Sequence, residues 1–144
     1  WARGILAHGA EVDHMMKVVG EEGTSLDDFI TYLKGEFLDS VYLQQNSFDP
    51  VDASVSPERQ NLFFSRVLRV LGASFAFETK EEARRCFNAL RQMFLDANSA
   101  RWESDELREI DKKILAYLES QMTLLDPAAL GLIENLEENL ERAP

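Results

Sequence analysis

Hydrophobic residues recur at steps of three and four along most of the chain, which is the period of an amphipathic α-helix. The clearest stripe belongs to a helix that begins after Ser25 and runs to about Gln45. It comprises Leu26, Phe29, Ile30, Leu33, Phe37 and Val41. No stretch of useful length shows the two-residue alternation of a strand or the turn residues of a hairpin. The pattern therefore predicts an all-α fold, a helical bundle of about six helices.

Short polar residues mark where the helices begin, because their side chains can accept hydrogen bonds from the free N–H groups of a first turn. A first helix is expected from near Ala2, interrupted by Gly4 and Gly9, and Gly20 is placed to end it. The five later starts are Ser25 with Asp28, Ser56 with Pro57, Thr79 with Glu82, Ser104, and Asp126 with Pro127. No linker or repeat divides the sequence, so residues 1–144 are expected to form one domain.

The composition is that of an acidic protein, because 15 Lys and Arg against 26 Asp and Glu give a formal net charge of −11. Nucleic acids and anionic membranes are bound through cationic side chains, so neither is an expected partner. No apolar run approaches the roughly 20 residues of a membrane-spanning helix, so direct membrane insertion is not expected. Cys86 is the single cysteine, which excludes an internal disulfide and favours a reducing compartment. Several arginines are interpreted as solvated, with an acidic subunit as the alternative partner: Arg59, Arg66, Arg69, Arg84 and Arg85.

The sequence contains no evident catalytic constellation. A phosphate-binding loop would read GxxxxGKS/T, and this pattern is missing, so we predict no ATP hydrolysis by this chain alone and name no catalytic residue. Glu11 and His14 have the spacing of half a di-iron site, but a second such pair is missing. No metal site is therefore predicted, and a solvent-exposed or capping histidine is favoured. Cys86 is interpreted as a small hydrophobic residue, with a thiol activated by neighbouring arginines as the alternative.

Residues 43–52, LQQNSFDPVD, follow the long amphipathic stripe and precede the next helix start. Pro50 biases Asp49 away from helical dihedral angles, so a loop is predicted that displays Gln45, Asn46 and Phe48. The longer run over residues 42–60, YLQQNSFDPVDASVSPERQ, resembles the C-terminal helical domain of the catalytic A subunit (alpha chain) of V-type and A-type rotary ATPases. The resemblance covers residues 12–60 and is limited to helical layout after residue 61.

The resemblance implies that the chain is a fragment, with the nucleotide-binding domain and its phosphate loop upstream, in keeping with a first residue, Trp1, that is not methionine. Phe48 matches the family's adenine-contacting aromatic residue, and Gln45 and Asn46 match its neighbouring amides. We therefore expect these three residues on the adenine side of the nucleotide pocket, where stacking contributes about 1–3 kcal/mol. ATP or ADP with Mg would bind to the full-length subunit, and no cofactor to the fragment alone. Spacing alone favours a core role for Phe48 instead.

A second group of interest is the acidic turn, defined by Glu21, Glu22, Asp27 and Asp28. The residues alone indicate solvated carboxylates, whereas the resemblance implies a turn that faces the central rotor. EEGTSLDD departs here from the family's usual DALPEEDK, which leaves the contact residues open. We hypothesise that the helix from Asp27 to Gln45 acts as a lever between this turn and the loop with Phe48.

The function that the resemblance implies is that of a rotary ATPase or ATP synthase, which couples ATP hydrolysis or synthesis to proton or sodium transport. Its B subunits and central stalk are the expected partners. The expected location is cytoplasmic, peripheral to the membrane through the complex. The alternative is a free-standing acidic helical adaptor that binds partner helices in an apolar groove.

Overall fold

The computed structural model describes residues 1–43 and 56–142, and this part of the chain is mostly helical. Its six α-helices are α1 (Ala2–Val19), α2 (Leu26–Leu38), α3 (Pro57–Gly72), α4 (Lys80–Ser99), α5 (Asp105–Gln121) and α6 (Pro127–Arg142). A short π-helix, Asp39–Leu43, follows directly on α2. The prediction of an all-α bundle of about six helices is confirmed.

The predicted helix starts carry the expected caps. Each capping oxygen accepts a hydrogen bond from a backbone N–H two or three residues later: Ser25 from Asp28, Ser56 from Arg59, Thr79 from Glu82, Ser104 from Leu107 and Asp126 from Ala128. Gly20 ends α1 with a φ of 82°, a conformation that favours glycine. The helix boundaries are therefore fixed by local chemistry.

A small antiparallel sheet is the feature that the sequence did not predict. Strands β1 (Ala73–Phe75) and β2 (Met122–Leu125) pair with a register irregularity between Ser74 and Phe75. The strands have 3 and 4 residues, too few for a two-residue alternation to be detected. They also lie far apart in sequence, so no hairpin signal accompanies them. This short sheet is an addition to the helical bundle and does not change its class.

The main core lies between α2, α3, α4 and α5. The Phe37 ring of α2 meets Phe87 and Phe94 of α4 edge-on, with ring centroids 6.3 and 4.9 Å apart. The face predicted for α4 is buried as expected: Ala83, Phe87, Leu90 and Phe94. These contacts pack α4 against the C-terminal end of α2.

Helix α1 is continuous, so the expected interruption at Gly4 and Gly9 was wrong. A Cβ on Gly9 would lie 3.3 Å from the Thr31 carbonyl oxygen and 3.4 Å from the Gly35 Cα. These distances show that α1 and α2 pack backbone to backbone at this point. The glycine allows a close helix contact, which outweighs its low helix propensity.

The interpretation of the α3 arginines as solvated was also wrong. Arg59 is 3% exposed, and Arg66 bridges α5 and α6. Arg66 Nε donates to Asp111 at 2.7 Å, and its Nη1 donates to Glu137 at 2.8 Å. Burial opposes the charge, but Asp111 and Glu137 together raise the pKa of Arg66 above its ordinary value. Arg69 also pairs with Glu137, so these charges join three helices.

Candidate functional site

The residues predicted to contact adenine, Phe48, Gln45 and Asn46, lie outside the described residues. Their role therefore stays a prediction. The described chain ends at Leu43 on one side of them and resumes at Ser56 on the other. These two flanks are the parts of the site that the structure positions.

Glu21 and Glu22 of the acidic turn lie between α1 and α2, whereas Asp27 and Asp28 lie in the first turn of α2, and Glu21 is anchored to the N-terminal end of α4. Arg84 Nη2 donates to both carboxylate oxygens of Glu21, each at 2.7 Å. Lys80 Nζ donates to the backbone carbonyl of Glu21. The Arg84 guanidinium also lies 5.1 Å from the centroid of the Phe29 ring. Glu21 is therefore engaged within the domain, although its side chain is 45% exposed.

The other three acids of the turn differ in their surroundings. Asp28 Oδ1 lies 3.8 Å from His8 Nε2, and His8 Nδ1 lies 3.7 Å from Glu11. Glu22 and Asp27 are exposed, and their carboxylates form no ion pair within residues 1–43 and 56–142. Of the four acids of the turn, Glu22 and Asp27 are thus the two that the described part of the fold leaves available to a partner.

A cleft of about 420 Å³ lies beside the turn, between α2 and α4. Its polar lining combines acids and bases: Glu21, Glu36, Asp39, Arg84 and Arg91. Tyr32 also lines it, and burial, followed by the nearby Glu36 carboxylate, raises the pKa of the Tyr32 hydroxyl. Tyr32 is therefore neutral at physiological pH. The mixed charge differs from a phosphate cradle, which presents backbone N–H groups and cations.

The structure also describes the surroundings of His14 and Cys86, two further candidates from the sequence. His14 is exposed, as expected, and within the described ranges no group of three His, Cys, Asp or Glu side chains could hold a metal ion. Cys86 is buried, and burial raises the pKa of its thiol to about 11 despite a hydrogen bond with Tyr117. A thiol of that pKa is protonated at neutral pH, which supports its interpretation as a small hydrophobic residue.

The anchors of the turn, Lys80 and Arg84, were missed because their partner lies about 60 residues away. One local signal was present. Cationic side chains in the first turns of a helix oppose the positive end of its dipole. At Arg84, the Glu21 carboxylate offsets this repulsion.

The N-terminal half of the chain matches a known protein family in sequence. Residues 2–72 match the family model described as the C-terminal domain of V and A type ATP synthase. The matched half contains α1, the acidic turn, α2, residues 44–55 and α3. The chain therefore belongs to this family.

The similarity to particular proteins extends beyond the matched half. The chain is 51% identical over 137 residues, 95% of its length, to V-type ATP synthase alpha chain 1 of Treponema pallidum (strain Nichols). It is 48% identical over 134 residues to the V-type ATP synthase alpha chain of Treponema denticola, and 50% identical over 121 residues to that of Borrelia duttonii (strain Ly); these matches cover 93% and 84% of the chain. The chain spans about a quarter of the length of these relatives, between 21% and 23%. No solved structure matches it significantly.

Within residues 1–43 and 56–142, no helix is both long and apolar enough to cross a membrane.

Proposed function

We propose that the chain is the C-terminal helical domain of the catalytic alpha chain of a rotary V-type or A-type ATPase or ATP synthase. The observation that carries this proposal is the 51% identity over 137 residues with a V-type ATP synthase alpha chain. The intact enzyme would couple ATP hydrolysis or synthesis to proton or sodium transport. No specific observation favours a free-standing adaptor, since the matches with V-type ATP synthase alpha chains extend over 84–95% of this chain.

Phe48, with Gln45 and Asn46, would form the adenine side of the nucleotide pocket. A purine is apolar on its faces, so an aromatic ring binds it by stacking, and amides can hydrogen-bond to its edge. The phosphates and Mg would be held by the upstream domain of the full-length subunit. This fragment would bind no nucleotide strongly by itself.

The acidic turn would face the central stalk, and the domain would also contact neighbouring B subunits. The subunit would then lie at the periphery of the membrane, through the complex. Exposed Glu22 and Asp27 carboxylates support the stalk contact, because they are free to pair with cationic side chains of a partner. Glu21 instead holds the turn against α4.

The adenine role is tested with Phe48→Ala in the full-length alpha chain, assembled with its partner subunits. Loss of stacking should weaken ADP binding roughly 5- to 150-fold. Phe48→Tyr should bind ADP nearly as well as the parent protein, because the ring is retained. Unchanged ADP affinity in Phe48→Ala would refute the adenine role.

The stalk contact is tested by charge reversal at Glu22 and Asp27 in the same complex. Coupled ion transport should fall, while the domain remains folded because both side chains are exposed. Glu134→Lys combined with Glu141→Lys is the matched control, since it reverses two exposed acids on α6. If the Glu22 and Asp27 variant retains the coupled turnover of the control, this turn does not serve the stalk.

A further inference from the structure

The C-terminal end of α4 is hydrogen-bonded to both flanks of residues 44–55. On one side, Asn98 Nδ2 donates to the Val41 carbonyl oxygen at 3.1 Å, within the π-helix that ends at Leu43. On the other side, Arg59 Nη2 donates to the carbonyl oxygens of Ala97 at 3.1 Å and Asn98 at 2.9 Å. Arg59 lies in the first turn of α3. One helix end thus contacts the chain just before and just after this segment.

The Arg59 contact is strong on physical grounds. The last carbonyls of a helix lack intrahelical donors and carry the negative end of the helix dipole, so a guanidinium is well suited to them. Arg59 is 3% exposed, and its guanidinium lies 5.2 Å from the centroid of the Phe63 ring. The backbone N–H of Arg59 donates to the Ser56 Oγ at 3.2 Å, so the cap of α3 and the contact with α4 both involve residue Arg59.

The hydrogen bond from Asn98 to Val41 is also shielded from water. Val41 is 5% exposed, so water competes little for its carbonyl group. The side-chain amide of Asn98 binds the π-helix, while its backbone carbonyl accepts from Arg59. The single residue Asn98 therefore joins the two flanks.

We propose that Asn98 and Arg59 are positioning residues for nucleotide binding, which hold both flanks of the segment that carries Phe48. This inference rests on the proposed adenine role of Phe48. Fixed flanks restrict the positions available to the residues between them, so less conformational entropy is lost when a ligand binds. Neither residue needs to touch the nucleotide for this effect.

Asn98→Asp is the sharpest test, in the full-length alpha chain within its assembled complex. A carboxylate has nearly the same shape as the amide but no N–H, so it cannot donate to Val41. ADP affinity should fall about tenfold, a part of the stacking contribution of the base. Affinity for inorganic tripolyphosphate should not change, because that ligand has no base.

Gln92→Glu is the matched control. It makes the same amide-to-carboxylate change on the same helix, but Gln92 is exposed and its amide donates to Asp96, one turn away. It should leave both affinities unchanged. Arg59→Lys, which keeps the charge but loses the forked guanidinium, should reduce ADP affinity less than Arg59→Met.

The outcomes separate this inference from the proposed function. If Phe48→Ala weakens ADP binding and Asn98→Asp does not, the positioning role is wrong and the adenine role stands. If Phe48→Ala has no effect, the adenine role fails and this inference fails with it. Equal losses for ADP and tripolyphosphate in Asn98→Asp would indicate a general structural defect and would overturn the positioning role.

Discussion

The contact between α3 and α6 leaves no room for a side chain at Gly72. A Cβ at this position would lie 2.4 Å from the Ala129 Cβ, whereas ordinary van der Waals contact begins at 3.4 Å. Ala129 is fully buried, and the Gly72 carbonyl accepts a hydrogen bond from the Asp126 N–H at 2.8 Å. The two helices are therefore held together next to the position where an added Cβ would clash. Gly72→Ala must move them apart by about 1 Å.

The cost of this change follows from two opposing terms. Overpacking a core costs about 1–3 kcal/mol, and replacing glycine by alanine in a helix gains roughly 0.5–1 kcal/mol. Because Gly72 is the last residue of α3, the gain should be at its lower end. We expect Gly72→Ala to lower the free energy of unfolding by about 1–2 kcal/mol. Urea unfolding of the 144-residue chain, followed by circular dichroism, should show a midpoint lower by roughly 0.5–1 M.

Two further variants make this prediction specific to the contact. Ala129→Gly restores the missing space, so adding Gly72→Ala to it should cause no further loss of stability. Gly131→Ala is the control on α6, where a Cβ would meet nothing within 4 Å; it should stabilise by about 0.5–1 kcal/mol. A neutral or stabilising Gly72→Ala would refute the packing of α6 on α3.

Two more predictions concern buried charges. Arg66→Met should destabilise the chain by about 2–3 kcal/mol in urea unfolding, because Asp111 loses a forked partner in a partly buried site. Arg108→Met, which removes an exposed pair, should cost under about 0.5 kcal/mol, and equal losses would contradict the argument. Burial lowers the pKa of Lys34 to about 8, so the unfolded chain binds more protons between this pH and 10.5. This group's contribution to stability should therefore rise with pH, by on the order of 2 kcal/mol between pH 7 and 10. Lys34→Met should lack that rise, and parallel pH profiles of the two proteins would show that Lys34 does not titrate in this way.

The features predicted from sequence are those fixed by residues close together in the chain. Ser25 and Thr79 cap helices through N–H groups three residues away, and a stripe of period 3.6 defines the α4 face. The features missed depend on partners far apart in sequence. Arg66 and Glu137 are separated by 71 positions, and neither residue alone indicates which acid pairs with which base.

In the candidate site, too, the local features were predicted and the long-range contacts were missed. Gly20 and Ser25 bound the segment between α1 and α2 as predicted, so Glu21 and Glu22 lie within that segment, and Asp27 and Asp28 lie in the first turn of α2. Its attachment to Arg84 was not foreseen, and neither was the role of the α4 C-terminal end at the flanks of residues 44–55. Both attachments involve α4, a helix outside the half of the chain that matches the family model. The sequence resemblance, which covers residues 12–60, did not extend to α4.

The contacts of α4 indicate that the hypothesised lever, the helix from Asp27 to Gln45, would act together with a second helix, α4. It runs in the same direction as α2: Arg84 near its start pairs with Glu21, and Asn98 near its end binds Val41. The 14 positions between Arg84 and Asn98 correspond to about 21 Å of helix. A π-helix can mark a hinge within a helix. Here the π-helix is hydrogen-bonded to the C-terminal end of α4. Since the Phe37 ring packs between these attachments against Phe87 and Phe94, displacement of the turn would move both helices together as one unit. Both flanks of residues 44–55 would then move with that unit.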